Sequence, residues 1–70
     1  VILYPNPTSG LLHIETDQSV EKIEVYDLLG REVIASGSET QVDLSTLSSG
    51  VYLVKEHVEN EVHVRKVLKE

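Results

Sequence analysis

Seventy residues at 7.8 kDa make one small domain, well below the size at which chains divide. Hydrophobic residues at 40% and charged residues at 26% argue against disorder, and no apolar run approaches the roughly 20 residues of a membrane helix. Six basic against twelve acidic residues give a net charge of −6, which argues against nucleic acid or an anionic membrane surface as partner.

That charge is unevenly placed. Residues 1–50 hold eight acids and two bases, whereas residues 51–70 hold four of each, with Arg65, Lys66 and Lys69 close together at the end. There is no cysteine, so neither a disulfide frame nor a zinc-thiolate site supports the fold. The chain opens at Val1 without a methionine, a charged n-region or an apolar h-region, so no signal peptide is expected within it and it reads as a module cut from something longer. Without Trp, Phe or Met, its core must be built of Val, Leu and Ile with three Tyr, and a modest stability is expected.

The glycines and prolines fall between apolar runs and punctuate a series of short strands. Val1–Tyr4 is extended, and Pro5 and Pro7 bias the residue before each toward β or polyproline geometry. Asn6-Pro7-Thr8-Ser9-Gly10 places Asn and Pro where a type I turn wants them, with Gly10 free to take a positive φ. Leu11–Thr16 turns Leu12 and Ile14 one way and His13 and Glu15 the other. Val20–Asp27 alternates again, with Ile23 and Val25 opposed to Lys22, Glu24 and Tyr26. Asp27-Leu28-Leu29-Gly30 forms a hairpin turn with Gly30 left-handed, and Arg31–Ser36 returns. After Gly37-Ser38 comes a short strand, Thr40–Leu44, and then a polar corner, Ser45–Gly50, around Leu47. Val51–Val58 and Val62–Leu68 close the chain as a hairpin across Glu59-Asn60-Glu61. Seven strands spaced about 8–10 residues apart indicate an all-β sandwich or barrel over residues 1–70.

One local pattern sharpens this reading. Gly50-Val51-Tyr52-Leu53-Val54 follows the polar corner and opens the sixth strand. In immunoglobulin-type sandwiches a tyrosine here hydrogen-bonds back to the corner backbone, two residues before a core cysteine position. Tyr52 would be that corner tyrosine and Val54 would occupy the cysteine position.

Catalysis requires a nucleophile, a base and an orienting group that converge. Ser9, Ser36, Ser45, Ser48 and Ser49 lie in turn-type sequence, outside any Gly-x-Ser-x-Gly elbow, and Asp27 and Asp43 read as local caps. No catalytic residue, cofactor site or small-molecule ligand is expected. For metal, His57 and His63 share a face only with a three-residue loop, and project oppositely with a two- or four-residue one. Because His13 lies on a distant strand and no third ligand is evident, no metal site is expected. The cluster Arg65, Lys66 and Lys69 is either a recognition feature or a solvated face that discourages edge pairing.

Four blocks, in order, resemble the C-terminal sorting domain of the type IX (Por) secretion system, type A. They are Tyr4-Pro5-Asn6-Pro7 with Gly10; Val25-Tyr26-Asp27-Leu28-Leu29-Gly30-Arg31-Glu32-Val33; Asp43-Leu44-Ser45-Thr46-Leu47-Ser48-Ser49-Gly50-Val51-Tyr52-Leu53-Val54; and Arg65-Lys66-Val67-Leu68-Lys69. The resemblance implies a seven-stranded antiparallel immunoglobulin-like β-sandwich at the end of a longer secreted protein of the Bacteroidota. It also implies a non-catalytic tag behind an N-terminal cargo. Such a tag passes through the periplasm, is recognised by an outer-membrane translocon and is commonly removed by a surface sortase. The cargo then stays at the cell surface or is released.

On that reading Arg65, Lys66, Val67, Leu68 and Lys69 of the last strand supply the surface that the translocon recognises. Strand addition at an exposed edge is one available mode. Pro5, Asn6, Pro7, Gly10, Gly30, Gly50 and Tyr52 are fold determinants: the glycines for left-handed turns, the prolines for leading the chain in. A monomer or a weak edge-strand dimer is expected. The alternative function is a non-catalytic accessory sandwich for adhesion or carbohydrate binding, which the few tyrosines fit poorly.

Overall fold

Alternation of apolar and polar residues produces seven strands over residues 2–70, which the computed structural model describes; Val1 of the first extended segment lies outside them. The strands are β1 (Ile2–Tyr4), β2 (Leu11–Glu15), β3 (Val20–Tyr26), β4 (Glu32–Ser36), β5 (Gln41–Asp43), β6 (Gly50–Val58) and β7 (Glu61–Lys69). They form a three-stranded sheet ordered β1-β2-β5 and a four-stranded sheet ordered β4-β3-β6-β7. Every strand pair is antiparallel. This is the seven-stranded immunoglobulin-like sandwich that the strand count implies.

The core lies between the sheets and is built almost wholly from aliphatic side chains at alternate positions. Leu12 and Ile14 of β2, Val42 of β5 and Leu44 just beyond it face Ile23 and Val25 of β3, Val54 and Val58 of β6, and Val67 of β7. Each such side chain contributes on the order of 1.5–3 kcal/mol on burial, and Leu3, Ile34 and Leu47 extend the cluster at its rim. Tyr52 is the core tyrosine; Tyr4 is exposed and stacks on His13, with ring centroids 5.3 Å apart.

A strict period of two, counted back from Ile23, would put Val20 on the solvent face. The register of β3 against β6 shifts between Val20 and Lys22, so Val20 opposes Val58 while Lys22 opposes His57. The extra residue is Glu21. This bulge returns Val20 to the core, where it is 7% exposed.

The turns follow the sequence at two places and depart from it at two. Asp27 Oδ1 accepts the backbone N–H of Leu29 and of Arg31, and Gly30 takes φ +85°, so the β3–β4 hairpin closes as expected. Asp43 Oδ1 likewise accepts the Ser45 N–H. In the last hairpin the connection has two residues, not three: Val58 opposes Glu61, and Glu59 takes a φ of 51°.

The second departure is the segment from Asn6 to Gly10, which does not close as a type I turn. Its backbone is used elsewhere: the Thr8 N–H donates to Leu68 O at 2.9 Å, and Thr8 O accepts from the Glu70 N–H at 2.8 Å. Gly10 does not adopt a positive φ either. A Cβ there would meet that of Ser45 at 3.3 Å, a tight contact that Ser45 would have to relieve by a few tenths of an ångström. Gly50, at φ +153°, does hold a conformation that side chains rarely adopt.

Candidate recognition surface

The Tyr52 hydroxyl donates to Ser48 O at 2.7 Å, which ties the start of β6 to the polar corner as expected of a corner tyrosine. Val54, two residues on, is fully buried. The corner therefore fixes where β6 begins, and through the β6–β7 ladder where β7 ends, with Gly50 opposite Lys69.

The basic end of β7 divides by strand alternation. Val67 is fully buried in the core and Lys69 is 7% exposed, its Nζ donating to Glu70 O at 2.7 Å. Lys66 and Leu68 project outward and are exposed, opposite Leu53 and Val51 of β6. Arg65 lies opposite Val54 and is exposed at the sheet edge. Of the five residues of this block, Arg65, Lys66 and Leu68 are thus exposed, while Val67 and Lys69 are buried. Val62 and Val64, each 52% exposed, continue the outward row toward the hairpin.

The N-terminal Tyr4-Pro5-Asn6-Pro7-Thr8 segment lies against this strand. Asn6 Nδ2 donates to Lys66 O at 3.1 Å, and Asn6 Oδ1 accepts the Leu68 N–H at 3.0 Å. The side-chain amide thereby makes the pair of bonds that a neighbouring strand's peptide group would make. Thr8 continues with a parallel bridge to Lys69. Thr8 is fully buried, and its Oγ1 donates to Leu11 O and accepts the Gly10 N–H. Asn6 and Thr8 were legible only as turn residues, because their partners lie some sixty positions away.

The histidines project to opposite faces, as a two-residue loop requires. His57 Nε2 lies 2.8 Å from Glu24 Oε1 on the outer face. This hydrogen bond is the main reason that the Glu24 carboxyl titrates below its ordinary value, with burial opposing it and Lys22 assisting. His63 opposes Glu56, which faces inward between Val54 and Val58 and is fully buried. Both Glu56 oxygens and His63 Nε2 are buried without a hydrogen-bond partner. Burial pushes the Glu56 carboxyl up, against the pull of Arg65 and His63. Among the described residues no group of three or more His, Cys, Asp or Glu is placed to hold a metal ion. A surface depression beside the β4–β5 connection is lined by Ser38, Glu39, Thr40 and Gln41.

The molecule is a small immunoglobulin-like sandwich whose first motif is bound to its last strand, with Arg65 and Lys66 exposed beside that contact. Residues 2–70 match the family of secretion system C-terminal sorting domains, and the chain belongs to that family. It is a C-terminal sorting signal of type IX (Por) secretion, from a family of signals and not of enzymes. Membership entails dealings with the secretion machinery and export to the cell surface or beyond. No curated protein matches the chain significantly.

Proposed function

We propose that this domain directs an N-terminal cargo from the periplasm across the outer membrane, that the translocon recognises it through the exposed residues of β7, and that a surface sortase then removes it. The observation that carries this reading is the family match over residues 2–70. The charge distribution supports it: in a chain of net charge −6, the stretch from Val62 to Lys69 holds three cations and no carboxylate. Arg65, Lys66 and Leu68 are the contact residues, and Val67 and Lys69 keep the strand in place.

Lys66 is the residue to test, because it is exposed and faces away from the core. Lys69 is a poor choice, since its reversal would act on a buried group. In a host with a working type IX system, a periplasm-targeted fluorescent reporter carrying residues 1–70 is compared with its Lys66→Glu variant. Export of the first and roughly tenfold lower export of the second, with equal folded accumulation, is the expected result. Equal export of both would refute recognition at this position. Mass spectrometry of the exported reporter should find its C-terminus upstream of Val1; a retained domain would refute removal.

A further inference from the structure

We propose that β7 is built to receive one extended segment of the secretion machinery, by strand addition at the edge between Val62 and Lys66. The proposal rests on the sorting reading above and names the mode and place of contact.

In an antiparallel pair a residue either exchanges its N–H and C=O with its partner or directs both to the other side. Leu68 directs both away from β6, to Asn6 Oδ1 and to the Thr8 N–H. By alternation Val62, Val64 and Lys66 also direct theirs outward, and Lys66 O is taken by Asn6 Nδ2. That leaves the N–H groups of Val62, Val64 and Lys66, and the C=O groups of Val62 and Val64, without partners among the described residues. The N-terminal motif thus closes one half of the β7 edge and leaves the other half open.

This open half differs from the other edges of the two sheets. The edge strands β1 and β5 have three residues each and β4 has five, whereas β7 has nine. Natural sheets keep exposed edges short or blunt them with charge, proline or a covering segment, because a long apolar edge recruits other strands. Here the covering segment stops at Lys66, and the uncovered window carries Val62 and Val64, both 52% exposed. Backbone groups would supply affinity, and the side chains flanking them specificity.

The occupant is identified by charge. His63, Arg65 and Lys66 flank the window and no carboxylate lies within it. A segment whose aliphatic side chains share the face of Val62 and Val64, and whose alternate carboxylates share the face of His63 and Arg65, matches the window. A second copy of this chain matches poorly, since it would bring the same cations to the same window.

Val64→Pro tests the mode. It deletes an N–H that points away from β6, so the internal ladder keeps its bonds, while the ring blocks an incoming strand. Wild-type reporter fusion at the surface, with a folded Val64→Pro fusion held in the periplasm and export at least about tenfold lower, is the expected result. Export of Val64→Pro at the wild-type level overturns the proposal and leaves the sorting reading intact. Retention of the wild-type fusion overturns the sorting reading itself. If Val64→Pro does not fold, Val64→Asp decides, because it keeps the backbone and sets a carboxylate among the aliphatic side chains of the incoming segment: reduced export supports the proposal and wild-type export overturns it. Sedimentation of the 70-residue chain excludes or admits the other occupant: a monomer supports a machinery segment, and a dimer abolished by Val64→Pro overturns it in favour of a second copy.

Discussion

Tyr52 and Glu56 sit two turns of the same alternation apart on β6, yet one was legible as a structural residue and the other was not. The tyrosine announces itself by type and by its place after a polar corner. The glutamate lies in the inward row Tyr52, Val54, Glu56, Val58, so the period alone places it in the core; its charge argues the other way and masks it. Its consequence is a stability that depends on pH with a definite sign. The folded-state value of the Glu56 carboxyl lies above the ordinary 4.5, so its contribution is fully present below that value. The contribution is lost as pH rises through the elevated folded value. Glu24, Asp27 and Asp43 are lowered instead, each chiefly by hydrogen bonds it accepts, and their contributions are lost as pH falls through their folded values. Replacing Glu56 with Leu should therefore stabilise the domain at neutral pH by about 1–3 kcal/mol, since a buried carboxyl group without a hydrogen-bond partner is removed. The difference between variant and wild type should shrink on acidification. Urea unfolding at a series of pH values measures it, and a pH-independent difference would contradict the assignment.

At the level of elements, the hairpins and the alternation of β2, β3 and β6 are written locally, in Gly30, in Asp27 and in the spacing of Val and Ile. What local reading misses is a segment whose bonds go elsewhere. Asn6-Pro7-Thr8 has the composition of a turn, but its amide and backbone groups bind Lys66, Leu68 and Glu70, and no local propensity carries that information. Likewise the bulge at Glu21 is visible only once β6 supplies its register. The strap on β7 makes a prediction. Asn6→Ala removes both side-chain bonds to β7 and should cost about 1–2 kcal/mol, while Asn6→Asp keeps the acceptor for Leu68 but sets a carboxylate oxygen against Lys66 O. Amide exchange should accelerate at Leu68, Thr8 and Glu70 in Asn6→Ala, and less so in Asn6→Asp. Unchanged protection at Leu68 would show that the strap does not secure the edge.

For the whole molecule, the sandwich arranges its surface unequally. The hydrophobic core joins the two sheets, the corner at Ser48 and Tyr52 fixes the start of β6, and the β6–β7 ladder transmits that position to the end of β7. Family membership was legible because its four blocks fall at the structural joints: the strap, the β3–β4 turn, the corner with β6, and the end of β7. Which of those residues face solvent was not legible, since it depends on the register that buries Val67 and Lys69 and exposes Lys66 and Leu68. The most direct test of the central claim is the reporter fused to residues 1–70, expressed with and without the type IX translocon. Reporter outside the cell in the first strain and held in the periplasm in the second is the result this account predicts. A folded, intact fusion that stays in the periplasm of both strains would contradict it.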